Sequence, residues 1–202
     1  MAARANFPEG ATAVKRLVLA LTIVLAGIVL LGQGAYIHAK AWLAQLLLER
    51  AFDRSIAIGK PIKPWSWADT WPVARIEVKR IGASAIVLAG TSGQALAFGP
   101  GHLDQTVEVG ERGVAVYAAH RDTHFRFLRN VVIGDVIDIT RADGKHFRYR
   151  ADASRVARFD ASGIDPASPD FELVFTTCWP FDAITSGPER YILHATLVGP
   201  GS

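Results

Sequence analysis

A β-rich domain, either barrel or sandwich, behind one transmembrane helix is the architecture this chain predicts, and three observations carry it. Residues 17–37, LVLALTIVLAGIVLLGQGAYI, hold no charged side chain and are long enough to cross a hydrocarbon core of about 30 Å as a helix. From residue 73 onward, short apolar runs alternate with turn residues, as in a fold of many short strands. Between two of those runs stands Asp143-Gly144, the strongest short-range hairpin signal. The 202 residues leave room for one core of ordinary size plus an extension.

Residues 1–16 carry Arg4, Lys15 and Arg16 against Glu9. Basic residues on the N-terminal flank of an apolar helix place that flank in the cytoplasm and the rest of the chain across the membrane. The expected layout is a cytoplasmic tail at 1–16, a membrane helix at 17–37, a connecting region at 38–72 and a β-domain at 73–202. Ala39-Lys40-Ala41 offers a small-x-small cleavage site for the competing reading, a removed signal peptide. The apolar run is long beside a signal core of roughly 7–15 residues, which favours a retained anchor. Within 38–72, Ala41, Trp42, Leu46, Leu47, Phe52 and Ile56 recur at helical spacing. They predict an amphipathic helix to about residue 58, lying on the bilayer or on the following domain. Residues 59–72 then combine three prolines with Trp65, Trp67 and Trp71. Such a segment is extended, and its tryptophans are pinned to the domain surface or sit at the membrane interface.

In the β-domain the candidate strands are 73–78, 85–88, 113–119, 136–141, 145–150, 154–159, 172–177 and 191–198, with short helical pieces at 92–97 and 123–129. No internal repeat and no phosphate-binding glycine loop is present. The 22 Lys+Arg against 19 Asp+Glu give a net charge of +3, dispersed along the chain, which does not point to nucleic acid. One cysteine excludes an intrachain disulfide and a thiolate metal cage.

That cysteine, Cys178, ends an apolar, β-prone run that stops at Trp179-Pro180. Proline cannot donate to a sheet ladder, so the strand ends there and leaves the thiol at a rim; a buried, inert cysteine is the alternative. The next strand begins at Arg190, and its polar positions Arg190, His194 and Thr196 share one parity. The joining loop, 179–189, exceeds hairpin length and contains Gly187-Pro188, as functional loops do. His120 follows another apolar strand and precedes a polar turn, which puts it at a rim too. His120 and His124 stand at i, i+4, but the zinc-protease pattern requires glutamate beside the first histidine, and Arg121 occupies that position. Asp122 reads more simply as a turn former than as a partner for His120, and His102 as a loop residue. Asp104, Glu108, Asp135 and Asp138 are scattered and read as surface acids rather than a calcium site.

Ala119-His120-Arg121-Asp122-Thr123-His124-Phe125, then Val174-Phe175-Thr176-Thr177-Cys178, then Arg190, together resemble the sortases, the cysteine transpeptidases of bacterial surfaces. The fuller phrases LAFGPGH, AHRDTHFRFL, TTCWPFDA, GPERYILHA and PWSWADTWPVARI look like the proteobacterial branch, the class GN sortases. The resemblance runs colinearly over residues 64–198. Two positions depart from the family pattern: the TLxTC signature reads VFTTC here, and Ala119 stands where glycine usually precedes the histidine.

The resemblance implies an eight-stranded antiparallel β-barrel with Cys178 as nucleophile, His120 as acid and base, and Arg190 as stabiliser. Thr177, Ala119 and Trp179 are further candidates for contacting substrate. The implied substrate is an exported protein with an LPxTG-like sorting signal, cut after threonine to a thioacyl enzyme and passed to an amine at the cell surface, with no cofactor and no metal. The chemistry suits these residue types. A thiol with a reference pKa of about 8.5 is only a few per cent thiolate at neutral pH, so a cationic neighbour must favour its ionised form. An imidazolium can do so and then protonate the departing amine. An arginine stays charged and can hold an oxyanion or a peptide backbone. Two other classes compete. Peptidoglycan L,D-transpeptidases carry a Ser-His-Gly-Cys block that is absent here. A membrane-anchored β-domain that only binds a partner would keep Cys178 as a structural residue.

Overall fold

The computed structural model describes residues 9–165, 168–185 and 187–200. Helix α1 (Glu9–Ile58) opens the chain, and the chain divides into two compact units, one through Leu43 and one from Ala44 onward. In the first unit almost every described side chain is exposed, including Leu19, Ile23, Leu25, Leu30 and Leu31. By length and composition the helix can cross a membrane.

The second unit starts with the last turns of α1. Leu48 and Phe52, fully buried, pack with Ile86, Leu88 and Ala95, so this amphipathic stretch lies on the β-domain. Arg75 pairs with Glu49 and with Asp53 at 3.2 Å, and its guanidinium sits 4.7 Å from the Phe52 ring centroid. The helix ends at Gly59, whose φ of +71° gives the left-handed turn that glycine adopts without a Cβ penalty. The following Pro/Trp segment is pinned by Trp65 edge-on to Phe98 at 5.0 Å and by the Thr70 hydroxyl donating to Ala89 O at 2.7 Å. Trp67 remains exposed.

Eight strands follow: β1 (Pro72–Val78), β2 (Ala83–Ala89), β3 (Gly101–His102), β4 (Gly113–Ala118), β5 (Val136–Arg141), β6 (His146–Arg158), β7 (Phe171–Cys178) and β8 (Glu189–Pro200). They close into a barrel in the order β1-β2-β3-β4-β7-β8-β6-β5. Helix α2 (Gly93–Phe98) and the 3-10 turn Arg126–Asn130 are the short helical pieces expected near 92–97 and 123–129. The Asp143-Gly144 hairpin joins β5 to β6; Gly144 has φ +83° and Lys145 N–H donates to Asp143 Oδ1 at 3.1 Å.

The eight-stranded barrel forms, with three differences in its parts. The expected strands at 145–150 and 154–159 are one strand, β6, which pairs with β8 along its length across a register shift between Ala151 and Ala153. A bulge of this kind bends a strand without ending it. The eighth strand is instead β3, a two-residue element in the segment expected to be a loop around His102. The seams are not all antiparallel: β2–β3 and β4–β7 are parallel. Leu173, Val174 and Phe175 are accordingly buried on both faces of β7, as a strand in a parallel seam requires.

Inside the barrel, Ile76, Tyr117, Ile139, Tyr149, Phe175 and Leu193 belong to one core. A second apolar cluster, Val114, Val116, Val174 and Ile192, lies on the outer face of β4, β7 and β8, with Leu103, Ala157 and Ile164 packed on it. Asp135, expected at the surface, is buried; it pairs with Arg80 and accepts from Val132 N–H at 2.9 Å. Asp138 pairs with Lys79 at 2.9 Å and Arg148 at 3.0 Å.

Candidate active site

Side-chain parity fixes which residues meet at the end of β7. Leu173 and Phe175 point into the main core, so Val174, Thr176 and Cys178 point outward. On β8, Leu193 and Ala195 are core residues, which leaves Ile192 and Arg190 on the outer face. On β4, Ala115 and Tyr117 face inward, as does Ala119 just past the strand end, and His120 comes next. Cys178 and Arg190 are register partners across the β7–β8 seam. Trp179 N–H donates to Glu189 O at 3.0 Å, which makes Cys178–Arg190 a non-hydrogen-bonded pair, the kind with the closer side chains. Across the parallel β4–β7 seam Ala118 aligns with Thr176, and Ala119 N–H donates to Thr176 O at 3.3 Å. His120 stands two residues beyond Ala118 on β4, as Cys178 stands two residues beyond Thr176 on β7. Neighbouring strands lie about 4.8 Å apart. The three residues therefore gather at one barrel end, on the face floored by the outer apolar cluster.

Their surroundings differ. Cys178 is half-buried and free, and His120 is exposed. Arg190 is half-buried; its Nη1 donates to Gly187 O and to Glu189 O, both at 2.9 Å, and its guanidinium lies 5.7 Å from the Phe159 ring centroid. Thr177 is buried and its hydroxyl donates to Ala119 O at 2.7 Å, tying the β7 end to the β4 end directly beneath Cys178 and His120. Ala119 is buried in the core beside it. Trp179 stacks on Tyr191 at 6.0 Å and meets Phe181 edge-on at 5.5 Å, so its ring belongs to an aromatic cluster at the rim.

His124 is half-buried beside the carbonyl of Ala97. Its Nε2 lies 3.4 Å from Ala97 O. Burial holds its pKa below the ordinary histidine value; the Ala97 carbonyl opposes that shift and the neighbouring His120 adds to it. Asp122 is exposed and makes no hydrogen bond to His120 among the described residues. His102 is buried, with Nε2 3.0 Å from Val107 O and 3.1 Å from Thr106 Oγ1.

Arg121 is the residue whose place the sequence did not disclose. It is buried, and its Nη2 donates to Ala183 O at 2.6 Å and to Thr185 O at 2.8 Å, both in the loop between β7 and β8. The only signal was a cation immediately after His120, and such a cation reads equally well as solvated.

A half-buried thiol at the same barrel end as an exposed imidazole, and paired in register with a guanidinium, can carry nucleophilic acyl transfer. Comparisons with known proteins bear on the same region. A family model described as a Sortase domain matches residues 76–198. Sortase D of Bacillus subtilis (strain 168) is 31% identical over 124 residues, which cover 61% of this chain; the chain spans 62% of that relative's length. Among solved structures, Sortase A from Corynebacterium diphtheriae is similar with a TM-score of 0.59 at 27% identity, over 66% of this chain and 63% of that one. A Clostridium perfringens Sortase D5 transpeptidase has a TM-score of 0.62 over 78% of this chain and 99% of its own; at 22% identity that likeness shows the fold alone.

Proposed function

This chain belongs to the sortase family, and on that premise we propose that it is a membrane-anchored cysteine transpeptidase in which Cys178 is the nucleophile, His120 the acid and base, and Arg190 the oxyanion or backbone stabiliser. The Cys178 thiolate attacks the threonine carbonyl carbon of an LPxTG-like signal in an exported protein. Arg190 steadies the oxygen that gains charge, and His120 gives its proton to the departing glycine amine as the C–N bond breaks. A thioester is left on Cys178. An incoming amine then loses a proton to His120, attacks the same carbon and releases the thiolate, so the two partners react in turn. Neither half-reaction requires a cofactor.

The single observation that carries this reading is the register: Cys178 opposite Arg190 on β7–β8, with His120 reached two residues beyond the Ala118–Thr176 alignment on β4–β7. We assign the chain to the class GN branch on the phrases AHRDTHFRFL, TTCWPFDA and GPERYILHA. We place it in an inner membrane, with the N-terminus cytoplasmic and the barrel periplasmic, on the basic flank at Lys15 and Arg16 before the apolar run. Ala119 and Thr177 are assigned to shaping the floor under the substrate, and Trp179 to its rim.

The test is peptide chemistry on the full, detergent-solubilised chain. Incubation with a panel of LPxTG-like peptides and a small amine, read by mass spectrometry, should yield peptide cut after threonine and joined to the amine. Peptides recovered intact across the panel, together with tight binding of an exported partner, would instead favour a β-domain that only binds.

A further inference from the structure

Arg121 is 8% exposed, and a guanidinium that deep ordinarily has a carboxylate beside it. Among the described residues none forms an ion pair with it. Its Nη2 instead donates to the carbonyls of Ala183 and Thr185, and its Nη1 is buried with no hydrogen-bond partner among the described residues. Both accepting carbonyls lie in the loop that leads from Cys178 to Arg190. The same loop is tied at further points: Arg129 pairs with Asp182, Arg190 donates to the carbonyls of Gly187 and Glu189, and Phe159 N–H donates to Pro188 O at 2.9 Å.

The anchors are unequal in an instructive way. Arg190 holds its own loop through Nη1, so the loop and the proposed chemistry draw on the same side chain, with Nη2 and Nε left to meet a substrate oxygen. The Arg129–Asp182 pair is largely exposed at the aspartate, where water and salt weaken it. Arg121 alone is both buried and uninvolved in contact with a reacting atom. It is also the residue after His120, so its backbone is fixed to the β4 end that carries the imidazole.

We infer that Arg121 is a positioning residue that locks the β7–β8 loop to the His120 end of β4, holding His120, Cys178 and Arg190 in one geometry while Arg190 engages substrate. The inference rests on the catalytic reading proposed above for the other three residues. Its effect is on the spacing of groups and on the chemical step rather than on substrate capture. Misplacement by about 1 Å costs on the order of 100-fold in rate.

The experiment uses the full chain and two independent readouts. Arg121→Met keeps the apolar stem and removes the donors. It should lower kcat for peptide cleavage by about 10- to 100-fold with KM little changed, and should speed amide exchange in the 181–188 loop while β4 and β7 exchange as in the parent. In Arg121→Ala, added guanidinium ion should restore part of the lost rate and ethylammonium should not, because only the planar ion can bridge two carbonyls. If Arg121→Met fails to fold, Arg121→Lys, which keeps stem and charge but loses the fork, carries the same two readouts. Parental kcat, a change confined to KM, or unchanged loop exchange would each overturn the inference. Exchange is read without substrate, so absence of cleavage in the parent chain would count against the catalytic reading and leave the loop measurement to decide the role of Arg121.

Discussion

Arg190 spends its Nη1 on two loop carbonyls, Gly187 O and Glu189 O, a use that depends on several donors set in a plane. Lysine would keep the charge and lose that arrangement. Arg190→Lys should therefore cut turnover by about 100-fold or more with little change in Tm; near-parental turnover would leave only a point-charge role. Cys178 points outward and is half-buried, so Cys178→Ala removes little packing. Its Tm should stay within a few degrees of the parent, measured by thermal melt. The rim positions of Cys178 and His120 were legible in the sequence, because Pro180 had to stop one strand and the polar run after Ala119 had to stop another. Two burials were not legible. Arg121 and Asp135 are charged residues beside turns, which ordinarily face water; what buries them is the β7–β8 loop in one case and Arg80 in the other, each distant in sequence.

Strands were legible where apolar alternation is bounded by turn residues, as in β1, β4, β5 and β7. Residues 151–153, with the polar Asp152 among them, read as a break between two strands. Across from them β8 runs on, with His194 opposite Ala153 and Ala195 opposite Ala151, and a continuous partner carries β6 through the bulge. β3 escaped notice because Gly101 and His102 have no alternation to show, and their pairing is supplied by Leu88 and Tyr117. The parallel β4–β7 seam joins segments more than fifty residues apart and has no local signature, although it is what brings the His120 end of β4 beside the Cys178 end of β7. Asp135 tests the packing between elements. It accepts from Val132 N–H at the turn before β5 and pairs with Arg80 after β1, and the Arg80 guanidinium holds its pKa below the ordinary carboxylate value. A depressed carboxylate contributes stability above its unfolded pKa of about 3.9, and that contribution is lost as pH falls through the lower folded value. Asp135→Asn should lower Tm by several degrees at pH 7, and the gap to the parent should close in strong acid. A gap that persists unchanged to pH 2 would assign the loss to packing instead.

Across the whole molecule, the pattern of an apolar helix followed by a β-domain was legible from charge and turn spacing, while the docking of the last turns of α1 was open between bilayer and domain. Leu48 and Phe52, fully buried against Ile86, Leu88 and Ala95, settle that point for residues 44–58. Each large apolar side chain so buried contributes about 1.5–3 kcal/mol. A fragment beginning at Pro72 should accordingly melt well below one beginning at Ala44; equal melting temperatures would mean that the helix end adds nothing to the barrel. The central claim, that a single outward thiol at the end of β7 carries an acyl group between two substrates, is tested most directly by trapping that acyl group. The full chain, mixed with an LPxTG-like peptide and quenched in acid within the first turnovers, should carry the mass of the peptide up to its threonine, mapped by digestion to Cys178. Hydroxylamine should release it, and Cys178→Ala should carry none. Cleavage that proceeds in Cys178→Ala, or an adduct that maps to any other residue, would contradict the account.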